Sequence, residues 1–60
     1  MTLEEDTLRR IGDSEKLRLS LLVLAVKKAR STQSDNKALM IINQHLDKGV
    51  VFENICKYYD

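Results

Sequence analysis

The sequence predicts an all-α fold: a small bundle of three helices, or four, with a central antiparallel helical hairpin, in a single domain over residues 1–60. Three observations predict it. The chain has no proline and two glycines, Gly12 and Gly49, which both stand where a helix would end. No alternation of apolar and polar residues runs beyond a few positions, so strands are poorly supported. The apolar residues recur at helical spacing instead.

The first helix is predicted over Leu3–Ile11. Thr2 followed by Glu5 fits a capping box, in which the hydroxyl accepts a backbone N–H and the carboxylate reaches back to the N-cap N–H. Acidic residues fill the first turn and arginines the last turn, as the helix dipole favours. Gly12 is typical of the residue that follows a helix.

The second helix is predicted to begin with Asp13 or Ser14 as its N-cap and to run to Arg30. Its apolar residues extend nearly all the way round. One face is predicted to pack in the core: Leu17, Leu21, Leu24 and Ala25. The other is predicted to be a contact surface: Leu19, Leu22, Val23 and Val26, continued by Ala29. A chain of this size has too few other residues to cover both faces of the helix, so we expect a partner protein or a second copy to cover one of them.

The third helix is predicted to start at Ser34 or Asp35 and to end before Gly49. Its core stripe consists of Ala38, Leu39, Ile42 and Leu46, and Met40 and Ile41 widen it.

The last segment, residues 50–59, fits either a short helix or a short extended stretch after Gly49, and the helix is favoured. Its aromatic residues Phe52, Tyr58 and Tyr59 form a second candidate contact patch, because aromatic side chains are enriched at interfaces.

No pattern in the chain predicts a catalytic, cofactor or metal site. A single cysteine, Cys56, forms no intramolecular disulfide, and with one histidine, His45, it does not supply the four ligands of a structural zinc site. We expect Cys56 to pack as a small hydrophobe, and we expect His45, on the third helix, to lie at the surface or at the boundary between surface and core. The acidic N-terminal residues do not resemble a signal peptide, and the longest uncharged run, Leu19–Val26, is too short to span a membrane. With a free cysteine, these features predict a cytoplasmic protein.

The formal net charge of +1 gives no general attraction to nucleic acid. Lys27, Lys28 and Arg30 form a basic cluster that is a candidate for contact with phosphates. The alternative is a solvated helix end whose cations match the helix dipole.

Residues 46–59 resemble the opening of a helix-turn-helix, with a glycine in the turn and an inward aliphatic residue, Ile55, on the helix that follows. The resemblance implies DNA binding, although no recognition helix follows in this sequence.

A second resemblance covers residues 22–51, about half of the chain. Leu22–Arg30 resembles the helix of the omega subunit of bacterial RNA polymerase in which a Leu-Val run leads into Ala-x-Arg-Arg-Ala-Arg. Leu46–Val51 is similar to the end of that family's next helix and its closing glycine. The resemblance implies an accessory subunit that clamps a large polymerase subunit. The chain departs from the family in having Glu15-Lys16-Leu17-Arg18 where an Arg-Phe pair is expected.

These patterns together predict a non-enzymatic interaction module or regulator. It would self-associate, most simply as a homo-oligomer, or dock on a larger protein through apolar helix faces. The alternatives are an accessory subunit of the transcription machinery and a DNA-associated regulator.

Overall fold

The computed structural model describes residues 2–60, and within them it contains four α-helices and no strand. They are α1 (Leu3–Ile11), α2 (Lys16–Arg30), α3 (Asp35–Asp47) and α4 (Phe52–Tyr58), with a 3₁₀ turn at Asp13–Glu15 before α2. The predicted all-α class is therefore confirmed, and the last segment is helical. No helix in residues 2–60 combines the length and the apolar character that a membrane span requires.

The ends of α1 and α3 follow the predicted capping signals. The Glu5 backbone N–H donates to Thr2 Oγ1 at 3.1 Å, and the Thr2 backbone N–H donates to Glu5 Oε1 at 3.2 Å. Ser34 caps α3 by accepting the Lys37 backbone N–H at 3.3 Å. Gly12 ends α1 with a φ of 101°, a conformation that favours glycine.

The predicted start of α2 came one or two residues too early, because its N-cap is Glu15. Asp13 and Ser14 lie in the 3₁₀ turn, and α2 begins at Lys16 after Glu15, which makes no side-chain cap. The Glu15 backbone N–H donates to the Gly12 carbonyl at 3.1 Å, so the chain tightens into 3₁₀ pairing before the α-helix begins.

All four helices contribute to one hydrophobic core. Its buried apolar members are Leu8, Leu19, Leu22, Val26, Ala38, Leu39, Ile42 and Ile55. Three residues of the predicted α3 stripe are buried as expected, and Leu46 packs against the core from a half-buried position. Met40 was expected to widen the stripe, but it is 54% exposed.

The two apolar faces of α2 were assigned the wrong way round. Leu19, Leu22 and Val26 are 2%, 4% and 0% exposed, so the predicted contact surface lies in the core. The predicted core face is on the outside, with its leucines exposed and Ala25 half-buried. The inner face joins one core with Leu8, Ile42 and Ile55 of the other helices, and half-buried Val23 packs against that core.

A polar network fastens α1 to α3. Thr7 is fully buried; its hydroxyl donates to the Leu3 carbonyl and accepts from Asn43 Nδ2, both at 2.8 Å. Arg10 donates from Nη1 to Asn43 Oδ1 at 2.9 Å and from Nη2 to Asp47 Oδ1 at 2.8 Å. These contacts fix the position of α1 against α3.

Candidate interaction surface

The outer side of α2 carries a row of exposed leucines. Leu17 is 76% exposed, and Leu21 and Leu24 are each 61% exposed. We call these three residues the leucine row. Their spacing of four and then three residues keeps them on one face of a helix, and it is the spacing by which one helix of a coiled coil contacts another.

A groove lies on each side of the leucine row. The first, between α1, α2 and α3, has a volume of about 280 Å³ and is lined partly by Ser20, Val23 and Leu24. The second, between α2 and α4, has a volume of about 210 Å³ and is lined partly by Leu21, Ala25 and Cys56. Side chains of a helix laid along the row would enter these grooves, as ridges of one helix pack into grooves of another.

Charged residues stand at both ends of the row. Asp13 lies four residues before Leu17, in the 3₁₀ turn that leads into α2. Lys28 lies one turn after Leu24, and both charged residues are exposed. Neither forms an ion pair within residues 2–60.

Two of the cations beside the row already have acidic neighbours. Arg18 Nε lies 3.9 Å from Glu15 Oε2, and Lys27 Nζ lies 2.8 Å from Asp35 Oδ1. Asp13 and Lys28 near the ends of the row, and Lys16 on its flank, are exposed charges that form no ion pair in residues 2–60.

Most of the residues predicted for the first contact surface are unavailable to a partner. Leu19, Leu22 and Val26 are core residues of the folded chain. Val23 is half-buried and forms part of the wall of the first groove. The sequence reasoning identified a helix with two apolar faces but missed the leucine row as its outer face.

The predicted aromatic patch is only partly at the surface. Phe52 and Tyr59 are half-buried against the core, whereas Tyr58 is 71% exposed. Tyr58 and Tyr59 meet edge to face with 4.9 Å between ring centroids. Tyr59 Oη also lies 3.0 Å from His45 Nε2, so the patch joins α4 to α3 and does not stand as a separate apolar surface.

The basic cluster is divided by internal contacts. Arg30 Nη2 donates to Tyr59 Oη at 3.3 Å, and this hydrogen bond raises the pKa of the Arg30 guanidinium above its usual value. Lys27 is paired with Asp35, so Lys28 is the member of the cluster with no such contact in residues 2–60. The cluster therefore does not present three unengaged cations side by side.

Cys56 is half-buried and packs against the core, and burial raises the pKa of its thiol. A raised pKa disfavours the thiolate, which is the nucleophilic form of a cysteine side chain. Within the described chain, no three residues among histidine, cysteine, aspartate and glutamate are placed to hold a metal ion.

No protein-family model matches the chain, and the comparisons with curated proteins and with solved structures found no match. The resemblances to the omega subunit and to a helix-turn-helix stay predictions. Two local features expected from the latter are present: Gly49 forms the turn before α4 with a φ of 88°, and Ile55 points inward at 1% exposure.

Proposed function

We propose that the protein is a non-enzymatic interaction module that works as a self-associated assembly, and that a second copy of the chain covers the leucine row. The observation that supports this most is the exposure of three large leucines in register on a helix whose other face already fills the core. Such an exposed apolar row marks a contact surface in a small folded protein.

The energetics favour a second copy over a smaller apolar ligand. Fully burying a leucine contributes about 1.5–3 kcal/mol, so the six partly exposed leucines of two rows contribute roughly 6–12 kcal/mol. Association costs about 4–15 kcal/mol because the two chains lose translational and rotational freedom. One row covered by a small ligand buries half as many exposed leucines as two rows that face each other, so a second copy removes more apolar area of this chain from water. We therefore expect a weak dimer.

Sedimentation at several concentrations tests the proposal. We expect wild-type chain to change from monomer to dimer over about 1–100 µM, the range in which a micromolar dissociation constant is visible. Leu21→Asp should remain monomeric over this range while keeping its helical circular dichroism. Met40→Asp is the matched control, because it places the same charge on an exposed apolar residue of α3. A wild-type monomer with a cooperative, concentration-independent melt would overturn the proposal.

Salt separates this function from nucleic-acid binding. Apolar burial tolerates added salt, whereas contacts with phosphates weaken steeply as salt rises. We expect the dimer to persist at about 0.5 M salt, where the Debye length is only a few ångströms. The DNA-associated alternative would be favoured if the wild-type chain bound duplex DNA tightly. In that case the binding should be lost in the Lys28→Ala variant and should also be lost when salt is added.

The proposal also includes antiparallel packing of α2 against α3. In this arrangement the rest of the chain does not cover the outer face of α2. The ion pair between Lys27, near the end of α2, and Asp35, the first residue of α3, supports it. Nuclear Overhauser contacts between Leu19 and the C-terminal half of α3 would agree with this course. Contacts of Leu19 restricted to the N-terminal turn of α3 would contradict it.

A further inference from the structure

We propose that the two copies pair with their α2 helices antiparallel, and that Asp13 of each copy forms an ion pair with Lys28 of the other. This inference rests on the proposed self-association through the leucine row. It adds the orientation of the second copy and the residues that select it.

The spacing of the outer residues is nearly the same in both directions. Leu17, Leu21, Leu24 and Lys28 follow one another at intervals of one turn of α2, and Asp13 precedes Leu17 by four residues, in the 3₁₀ turn that leads into α2. When a second α2 is laid antiparallel, Leu17 meets Leu24 of the other copy and Leu21 lies close to the two-fold axis. The same register brings Asp13 to Lys28 at both ends. This is a closed, two-fold contact in which each pair occurs twice.

The charges at the ends select this orientation over the parallel one. In a parallel pair, Asp13 would face Asp13 and Lys28 would face Lys28, and like charges across an interface disfavour pairing. In the antiparallel pair, both ends carry opposite charges. Residues beside an apolar seam set orientation in this way in coiled coils. The dipoles of the two helices also oppose each other, which favours the antiparallel pair.

The neighbouring charges do not cancel this preference. Arg18 and Lys27 have Glu15 and Asp35 as partners within the same chain. Lys16 is exposed, but it lies on the flank of α2, about a quarter turn or more away from the row. Asp13 and Lys28 are thus the charged residues nearest the two ends of the row, while Glu4 and Asp60 line the grooves beside it.

Charge reversal tests the ion pairs. We expect Asp13→Lys and Lys28→Glu each to weaken dimerisation roughly tenfold, because each change creates two like-charge contacts per dimer. The double variant Asp13→Lys/Lys28→Glu should return to within about threefold of the wild-type dissociation constant, since opposite charges again meet at both ends. Lys37→Glu is the matched control on the exposed side of α3 and should leave dimerisation unchanged. In a parallel dimer, the single reversals would merely exchange one like-charge contact for another and would not weaken it.

Disulfide trapping tests the orientation without charge changes. In a Cys56→Ala background, chains carrying Leu17→Cys and chains carrying Leu24→Cys are mixed and oxidised, and one chain bears a mass tag. We expect the mixed disulfide to exceed both homodisulfides. Leu21→Cys should cross-link to itself in either orientation, and it therefore confirms that the contact forms. Circular dichroism checks that each variant is folded.

The outcomes separate the two proposals. If wild-type chain is monomeric at every concentration, the proposed function fails and the orientation fails with it. If the dimer forms but the homodisulfides at positions 17 and 24 dominate, or the charge reversals have no effect, the self-association stands and the antiparallel arrangement is wrong.

Discussion

Thr7 shows at the scale of one residue how a polar group can be placed in the interior of this small bundle. The side chain is fully buried, but its hydroxyl both donates to the Leu3 carbonyl and accepts from Asn43. No buried side-chain nitrogen or oxygen in residues 2–60 lacks a hydrogen-bond partner. A buried polar group without a partner would cost about 1–3 kcal/mol, so the pairing of Thr7 is what makes its burial tolerable.

We predict that Thr7→Val lowers the free energy of unfolding by about 1–2 kcal/mol, because it removes the acceptor for one hydrogen of the Asn43 amide while nearly preserving volume. Urea unfolding followed by circular dichroism measures the change. In a double-mutant cycle, Thr7→Val and Asn43→Leu should be less than additive, because each breaks the same hydrogen bond. Additive costs would show that the contact does not contribute to stability.

Cys56 is a packing residue in this structure, as the sequence predicted. We expect Cys56→Ala to lower the free energy of unfolding by on the order of 1 kcal/mol or less and to leave dimerisation intact. Cys56→Ser should cost more, because a hydroxyl in this half-buried position needs a hydrogen-bond partner. Chemical denaturation of the three chains side by side gives the comparison, and equal stability of the alanine and serine variants would contradict it.

The raised pKa of the Cys56 thiol predicts a direction for its pH dependence. In the unfolded chain the thiol has a pKa of about 8.5, so as pH rises the unfolded chain releases this proton before the folded chain does. The thiol therefore lowers the free energy of unfolding above about pH 8.5 and leaves it unchanged at lower pH. At pH 8, a thiol reagent should react several-fold more slowly with folded chain than with chain in urea. Equal rates would mean that the thiol is exposed and that α4 does not shield it.

At the scale of the element, α2 is the helix with one apolar face in the core and another exposed to solvent. Its inner residues join a core shared by all four helices, while its leucine row faces outward. Helical periodicity alone does not distinguish these faces, because both rows repeat at three and four residues. The sequence could therefore identify α2 as the helix that needs cover on two sides without deciding which side the chain itself covers.

Two neighbouring leucines of α2 should respond differently to truncation. Leu22→Ala removes a side chain that is 4% exposed, and we expect it to lower the free energy of unfolding by about 2–5 kcal/mol through lost burial and a cavity. Leu21→Ala removes a side chain that is 61% exposed, and in dilute monomer it should cost less than about 1 kcal/mol. Thermal melts at low chain concentration make the comparison. A larger cost for Leu21→Ala would mean that the faces of α2 are the reverse of those in the structure.

At the scale of the whole molecule, a chain of 60 residues has few sources of stability. Domains of this length bury only about 60% of the surface that their unfolded chains expose. The chain has no disulfide to add, since Cys56 is its single cysteine. Association through the leucine row would therefore contribute a noticeable part of the stability of the assembled protein.

This leads to a prediction about thermal unfolding. If the dimer is stabilised by burial of the leucine row, the melting temperature should rise by several degrees as concentration increases a hundredfold, because mass action favours the folded dimer. Calorimetry of wild-type and Leu21→Asp chain tests this. The melting temperature of the variant should not depend on concentration. The same rise in both chains would mean that association uses a surface other than the leucine row.

Local signals in the sequence determined the helical class and most of the helix ends. The capping box at Thr2 and Glu5, the Ser34 cap and the stop at Gly12 act over a few residues, so they can be read without knowledge of the fold. The stripe of Ala38, Leu39 and Ile42 was also predictable, because α3 has one dominant apolar face. The start of α2 was missed because the 3₁₀ turn depends on how the chain leaves Gly12.

Tertiary structure decided which face of α2 is inside. Residues far apart in sequence, from Leu8 to Ile55, converge on one side of the helix, and packing together removes their apolar area from water. The same convergence placed Tyr59 against His45 and Arg30 and so divided both the aromatic patch and the basic cluster. The sequence alone determined that α2 is apolar on two sides. The packing of the other three helices determined that Leu17, Leu21 and Leu24 remain outside. The hydrophobic effect is not directional, so the face of α2 that is buried is the one against which the other helices pack.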